Sequence, residues 1–161
     1  MPEMRGMSTR SARRTRRARR RATHPTPRAS PARKGLVEPE LTRHVIACAL
    51  RVHSALGPGL LESAYETCLC RELALAGLSF RRQVPLTVEF GGVRLGCAYR
   101  MDLVIEDALV VELKCVDSIL PVHHAQLLTY LRLSRMRFGL LVNFNVARLR
   151  NGVKRAVLDP P

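Results

Sequence analysis

The spacing of apolar residues predicts two helices in the first half of the folded region. From residue 40 to about residue 56, apolar side chains recur at helical spacing, and the segment GPG at residues 57–59 then interrupts the helix. A second helix is predicted over residues 60–77, with Gly77 as its stop. Its apolar stripe consists of Leu61, Tyr65, Leu69 and Leu73. These two helices therefore come before any strand.

The apolar period then changes to two, which is typical of strands. Residues 84–90 alternate between apolar and polar side chains, and a Gly-Gly pair at residues 91–92 predicts a tight hairpin turn into residues 93–106. The pair Glu106-Asp107 predicts a second turn, into a third strand at residues 108–116. Three consecutive strands joined this closely are expected to be antiparallel.

The remaining elements complete an α/β (α+β layered) fold. Residues 122–134 predict a helix with Pro121 near its start, and FGLLVNF at residues 138–144 predicts a strand. VKRAVL near the end is compatible with one further strand. The order is helix-helix-strand-strand-strand-helix-strand, which predicts a central mixed sheet flanked by helices. A doubly wound sheet is disfavoured because the first three strands leave no room for helical crossovers.

Two charged residues interrupt the most apolar of the predicted strands. The segment LVVELKCV, residues 109–116, carries Glu112 and Lys114. Residues two apart share one face of a strand, so these two side chains project together. Burying either charge is unfavourable by several kcal/mol unless the charge is paired or bound. The neighbouring strand carries Asp102 in an equally apolar setting, YRMDLVI.

Adjacent acids of this kind indicate a metal site. A hairpin can bring Asp102 and Glu112 side by side, and the repulsion between two carboxylates is relieved by a shared proton or a divalent cation. Oxygen ligands favour Mg²⁺, with Mn²⁺ as the second candidate ion. The alternative is a structural ion pair between Lys114 and one acid. Three such residues in two apolar strands favour the metal site.

Charge is distributed unevenly along the chain, whose net charge is +14. Residues 1–36 contain twelve of the 27 basic residues and one of the 13 acidic residues. Few large apolar residues and several prolines predict a disordered basic arm there, with the folded domain at residues 37–159. The arm is equally compatible with a nucleic-acid tether and with an unselected extension from an upstream start codon. An organelle transit peptide is the third interpretation.

The composition also indicates in which part of the cell the protein is expected. No stretch approaches the ~20 apolar residues of a membrane span, and the N-terminus lacks the apolar segment of a secretory signal. We therefore expect no membrane partner and a cytoplasmic protein, and the sequence leaves its oligomeric state open. The five cysteines include no C-x-x-C pair, which disfavours zinc.

Several motifs together resemble one nuclease family. Asp102, followed by Glu112-Leu113-Lys114, resembles the D…(D/E)-x-K signature of the PD-(D/E)XK nuclease superfamily. The segment GLLESAYE at residues 59–66 resembles the G-x-x-E-x-x-Y element of the GxxExxY family, a predicted branch of that superfamily. AQLLTYL and GLLVNF resemble later segments of the same family. The resemblance covers roughly residues 40–158.

The resemblance implies a fold and an activity. It implies a restriction-endonuclease-like core and a Mg²⁺-dependent nuclease that hydrolyses phosphodiester bonds of DNA or RNA. Asp102, Glu112 and Glu62 would be the metal ligands, and Lys114 would position or polarise the attacking water. Gln126 would complete the catalytic set.

Two tyrosines are candidate supporting residues. Gln126 and Tyr130, four apart and therefore on one helical face, match the Q-x-x-x-Y pattern that follows the core lysine in such nucleases. Tyr65 lies one turn from Glu62 and could orient it. For both tyrosines, simple packing is an equally good interpretation.

The alternative function is a catalytically silent nucleic-acid-binding or protein-interaction domain with a nuclease-like fold. The intact set of Asp102, Glu112 and Lys114 argues against it. A domain that only binds has no physical reason to keep charges in buried strands.

Overall fold

A computed structural model describes residues 38–158 of the chain, apart from the side chains of residues 90 and 96–98. The basic arm predicted at residues 1–36 lies outside this described part. The elements are α1 (Glu38–Leu56), α2 (Glu62–Leu75), β1 (Phe80–Phe90), β2 (Val93–Ile105), β3 (Leu109–Lys114), α3 (Pro121–Ser134), β4 (Phe138–Asn143), a 3-10 turn (Leu149–Gly152) and β5 (Val153–Val157). Their order agrees with the sequence prediction. No helix of the described part is both long and apolar enough to cross a membrane.

In the described part the sheet is mixed, as expected, and its five strands lie in chain order, β1-β2-β3-β4-β5. β1 pairs with β2, β2 with β3, and β4 with β5 in antiparallel fashion. β3 and β4 are parallel, and α3 is the crossover between them. The predicted α/β (α+β layered) architecture is therefore confirmed.

Short turns set the register of the first three strands. Two consecutive residues in each turn have positive φ: 57° and 80° at Gly91 and Gly92, and 51° and 50° at Glu106 and Asp107. The first turn has the two left-handed residues that a type I′ hairpin requires, whereas the pairing of Ile105 with Leu109 leaves three residues in the second turn. The second turn places Leu103 of β2 opposite Val111 of β3.

Helices cover both faces of the sheet. α1 and α2 pack on one face, against alternate residues of β3: Leu109, Val111 and Leu113. α3 packs on the other face, where Val110 joins Leu127 and Tyr130. Because side chains alternate along a strand, Glu112 and Lys114 belong to the α3 face.

Candidate functional site

The site lies at the end of the sheet where the backbone pairing of β2 and β3 stops. The last backbone pair in this direction is Leu103 with Val111. At the next position, Asp102 Oδ2 accepts a hydrogen bond of 2.8 Å from the backbone N–H of Leu113. The carboxylate of Asp102 thus takes the place of a backbone acceptor and lies directly beside the strand that carries Glu112.

Glu112 is a buried carboxylate with only one of its oxygens satisfied. Its side chain is 3% exposed, and Oε1 lies 2.7 Å from Nζ of Lys114. Oε2 is the one buried side-chain polar atom of the described residues that has no hydrogen-bond partner. Burial, followed by the negative charge of Asp102, raises the pKa of Glu112 to about 7, with Lys114 opposing the shift. A cation or a proton would satisfy this oxygen.

The pKa values of Asp102 and Lys114 are also shifted by burial and by the neighbouring charges. Burial raises the pKa of Asp102, while the Leu113 N–H and the charge of Lys114 oppose that rise. Burial lowers the pKa of Lys114, but its hydrogen bond to Glu112 and the nearby acids outweigh burial, and the net shift is upward. Lys114 is therefore protonated at neutral pH, and the site is a set of carboxyl groups around one ammonium group.

Glu62 joins the site from the first turn of α2. Although Glu62 is exposed to solvent, its pKa is raised, first by partial burial and then by the charge of Asp102. The charge of Lys114 acts in the opposite direction. The structure therefore brings Glu62 within electrostatic reach of Asp102 and Lys114.

Sequence reasoning missed two residues that extend this cluster. Glu66 is buried one helical turn after Glu62, and it accepts hydrogen bonds of 2.8 Å from Nε of Arg82 and 2.9 Å from Nε2 of Gln83. Gln83 Nε2 also lies 3.4 Å from Asp102 Oδ1, so it links the two acids. The four-residue spacing from Glu62 could have revealed Glu66. Gln83, with φ of 48° inside a strand, left no such signal.

Gln126 and Tyr130 approach from the opposite face of the sheet. Gln126 Nε2 donates a hydrogen bond of 2.7 Å to the Tyr130 hydroxyl. Burial raises the pKa of Tyr130, and the charge of Glu112 adds to the shift. α2 and α3 cover different faces of the sheet, so Glu62 and Gln126 do not lie over the same face.

Tyr65 is fully buried and supports the loop that leads to Glu62. Its ring stacks on Phe144 with centroids 4.4 Å apart. Its hydroxyl donates to the Gly57 carbonyl at 2.5 Å and accepts from the Leu60 N–H at 3.2 Å. The hydroxyl thus contacts the loop backbone, which determines where α2 and Glu62 begin.

We expect Tyr65→Phe to loosen this loop without removing the ring from the core. The variant leaves the Gly57 carbonyl and the Leu60 N–H without their partner, which should destabilise the protein by about 1–3 kcal/mol. Hydrogen exchange should rise at residues 57–61, while the sheet stays protected. Ser63→Ala, at an exposed position of the same helix, serves as the control. Unchanged exchange in that loop would show that the ring alone matters.

Asn143 holds the segment that follows Lys114, and its role was also missed. Its buried side chain accepts from the Val116 N–H at 3.1 Å and donates to the Val116 carbonyl at 2.7 Å. The backbone N–H of Phe144 donates to the Lys114 carbonyl at 2.8 Å. An amide inside the apolar segment GLLVNF is the signal that could have revealed it.

The donor set suits a hard cation such as Mg²⁺. All candidate donors are carboxylate oxygens, and Oε2 of Glu112 is buried without a partner. Within residues 38–158, no three His, Cys, Asp or Glu side chains already converge as a complete ligand set. Mg²⁺ is usually bound through one or two carboxylates and retains several waters. The residues present therefore fit this ion.

One comparison with known proteins gives a match. The family model of the PD-(D/E)XK nuclease superfamily matches residues 39–156, from the first turn of α1 into β5. The mixed sheet with helices on both faces is consistent with the restriction-endonuclease-like core of that superfamily. No curated protein and no solved structure shows significant similarity to the chain.

Proposed function

Because the chain belongs to the PD-(D/E)XK nuclease superfamily, we propose that it hydrolyses phosphodiester bonds of DNA or RNA with Mg²⁺ as cofactor and Mn²⁺ as a substitute. Within the superfamily we place it in the GxxExxY branch, on the motif residues Gly59, Glu62 and Tyr65. The observation that carries the proposal is the partnerless, buried Oε2 of Glu112 beside Asp102.

Asp102 and Glu112 would hold the metal ion, with Glu62 beside them. When bound, the ion supplies positive charge that acidifies water and stabilises the developing charge on phosphate. Asp102 is already oriented by the Leu113 N–H and by Gln83. This preorganisation favours catalysis because little rearrangement is needed when the substrate arrives.

Three further residues would act on the bound substrate: Lys114, and Gln126 and Tyr130 of α3. Lys114 can offset charge on a phosphate oxygen and position the attacking water. Gln126 donates to the Tyr130 hydroxyl and thereby fixes its direction next to Glu112 and Lys114. We assign these two residues a positioning role.

A cleavage assay over several substrates tests the proposal. The full-length protein should cleave at least one of four substrates (single- or double-stranded DNA or RNA) in Mg²⁺ or Mn²⁺, and should be inactive in EDTA. Mg²⁺ should also raise the melting temperature, because binding at 100 times Kd stabilises the folded state by about 2.7 kcal/mol. Asp102→Asn should abolish both effects.

Glu89→Gln is the matched control for the loss of one acid. Glu89 is exposed on the β1–β2 hairpin, where it pairs with Arg94 at 3.3 Å, and such pairs contribute little to stability. If the wild type neither cleaves any substrate nor gains stability from Mg²⁺ or Mn²⁺, the chain is the silent binding domain instead.

A further inference from the structure

Tyr99 is the one exposed aromatic side chain among those that the structure describes. The chain has only three tyrosines, four phenylalanines and no tryptophan. Tyr65, Tyr130 and Phe144 are buried, and Phe80 and Phe138 are half-buried. Tyr99 is 44% exposed. Its ring is therefore accessible to a ligand.

Tyr99 stands beside the candidate active site. It lies on β2 opposite Leu86 of β1, three residues before Asp102, which corresponds to about 10 Å along the strand. Its ring contacts that of Tyr130, with centroids 6.2 Å apart and planes inclined by 61°. Tyr130 lies within electrostatic reach of Glu112 and Asp102. Tyr99 therefore borders the site on the α3 side of the sheet.

The contact with Tyr130 holds the ring in place. Edge-to-face pairs of aromatic rings are favourable, and Tyr130 is itself buried and hydrogen-bonded to Gln126. An exposed ring that is already ordered loses little conformational freedom when a ligand stacks on it. Tyr99 is thus a preorganised flat surface next to a site that we propose acts on phosphodiesters.

We infer that Tyr99 stacks on an unpaired base next to the scissile phosphate, so that the substrate is single-stranded nucleic acid or a strand with unpaired bases at the cut. This inference rests on the proposed function. Bases within a duplex are stacked on each other and do not present their faces, whereas unpaired bases stack readily on aromatic side chains. Stacking of this kind tolerates any base, so it selects strandedness and not sequence.

The first experiment compares cleavage of single strands by the wild type, Tyr99→Phe and Tyr99→Leu. Tyr99→Leu should lower kcat/KM by about 5- to 150-fold, the range that loss of one base–aromatic stack produces. Tyr99→Phe keeps the ring and should stay within about twofold of the wild type. Leu95→Ala, at an exposed apolar position on the same strand, is the control for losing any exposed apolar side chain from this hairpin. Thermal melts verify that each variant is folded.

An abasic nucleotide separates stacking from mere support of Tyr130. Removing the base at one position beside the cut should slow the wild type as much as Tyr99→Leu does, and should slow Tyr99→Leu no further. If Tyr99→Leu instead slows intact and abasic strands equally, the ring only supports Tyr130 and the inference is wrong. Preferred cleavage of fully paired duplex would also overturn it.

A binding measurement keeps the inference testable if no cleavage occurs. In EDTA, a single strand that carries 2-aminopurine should lose fluorescence on binding the wild type and Tyr99→Phe, because stacking quenches this base. Tyr99→Leu should bind without that loss. A wild type that cleaves nothing yet shows the quenching contradicts the proposed function alone, whereas binding without quenching contradicts the stacking role of Tyr99.

Discussion

Glu112→Gln is expected to reduce cleavage by about 10²- to 10⁴-fold while the protein stays folded. Glutamine keeps the shape of the side chain but removes the charge that would bind the cation. Loss of charge stabilisation worth several kcal/mol corresponds to this range, because each 1.36 kcal/mol changes a rate tenfold. Single-turnover cleavage of the preferred substrate measures the effect, with Glu89→Gln as the control. Wild-type activity in Glu112→Gln would exclude Glu112 as a metal ligand.

The same substitution should change how stability depends on pH in EDTA. The pKa of Glu112 is raised from 4.5 to about 7 in the folded protein, so the folded state holds this proton more tightly than the unfolded state. The resulting stabilisation is fully present below about pH 4.5 and is lost as the pH rises through about 7. One such group accounts for a slope of at most about 1.4 kcal/mol per pH unit.

Urea denaturation between pH 4.5 and 8 measures this slope. Glu112→Gln should show a shallower fall than the wild type and should be at least as stable at pH 8, because it no longer buries a charge beside Asp102. Lys114 still faces Asp102 and Glu62 in the variant, so its own charge remains compensated. A structural ion pair predicts the opposite, a loss of about 3–5 kcal/mol whether or not Mg²⁺ is present.

Lys114→Met is expected to abolish most cleavage but to leave metal binding in place. Methionine keeps the apolar stem and removes the ammonium group that would offset charge on phosphate, and removal of one such group reduces rates by about 10²- to 10³-fold. The carboxylates remain, and the ammonium group no longer competes with Mg²⁺ for them. The rise in melting temperature with Mg²⁺ should therefore be at least as large as in the wild type.

Without metal, Lys114→Met should lower the stability of the protein, whereas Glu112→Gln should not. Without the ammonium group, Asp102, Glu112 and Glu62 repel one another with no internal cation, so the variant should be less stable than the wild type at pH 8 in EDTA. Stability should recover at pH 5, where the acids bind protons more readily. Arg81→Met, at an exposed ion pair with Asp107, is the matched control. If Lys114→Met kept full activity, Lys114 would have no catalytic role and would serve only as the ion-pair partner of Glu112.

Patterns within single elements explain why much of the fold was predictable. Period-two alternation located β3 and showed that Glu112 and Lys114 share a face, and the turn at Glu106-Asp107 indicated that Asp102 would lie nearby. The order of helices and strands followed from the change of period. Each of these features depends on residues close together in sequence.

The parts that were missed depend on long-range packing. Helical periodicity shows which residues of α2 or α3 share a face, but not which face of the sheet the helix covers. α2, which carries Glu62, and α3, which carries Gln126, consequently cover opposite faces of the sheet. The links from Glu66 and Asn143 join residues separated by 17 and 27 positions, and no local pattern reports such contacts.

The chain-order arrangement of the sheet also bears on how the protein folds. β1, β2 and β3 are joined by successive hairpins, and short loops close in about 10–100 ns, so we expect Asp102 and Glu112 to meet early. The parallel pairing of β3 with β4 must await docking of the α3 crossover, because closing a longer loop has a larger entropic cost. The hydrogen bond from the backbone N–H of Phe144 to the carbonyl of Lys114 forms in this later step. A folding intermediate that held only the first three strands would contain Asp102, Glu112 and Lys114 but would lack α3 with Gln126 and Tyr130, and we expect cleavage to begin only when the last contacts form.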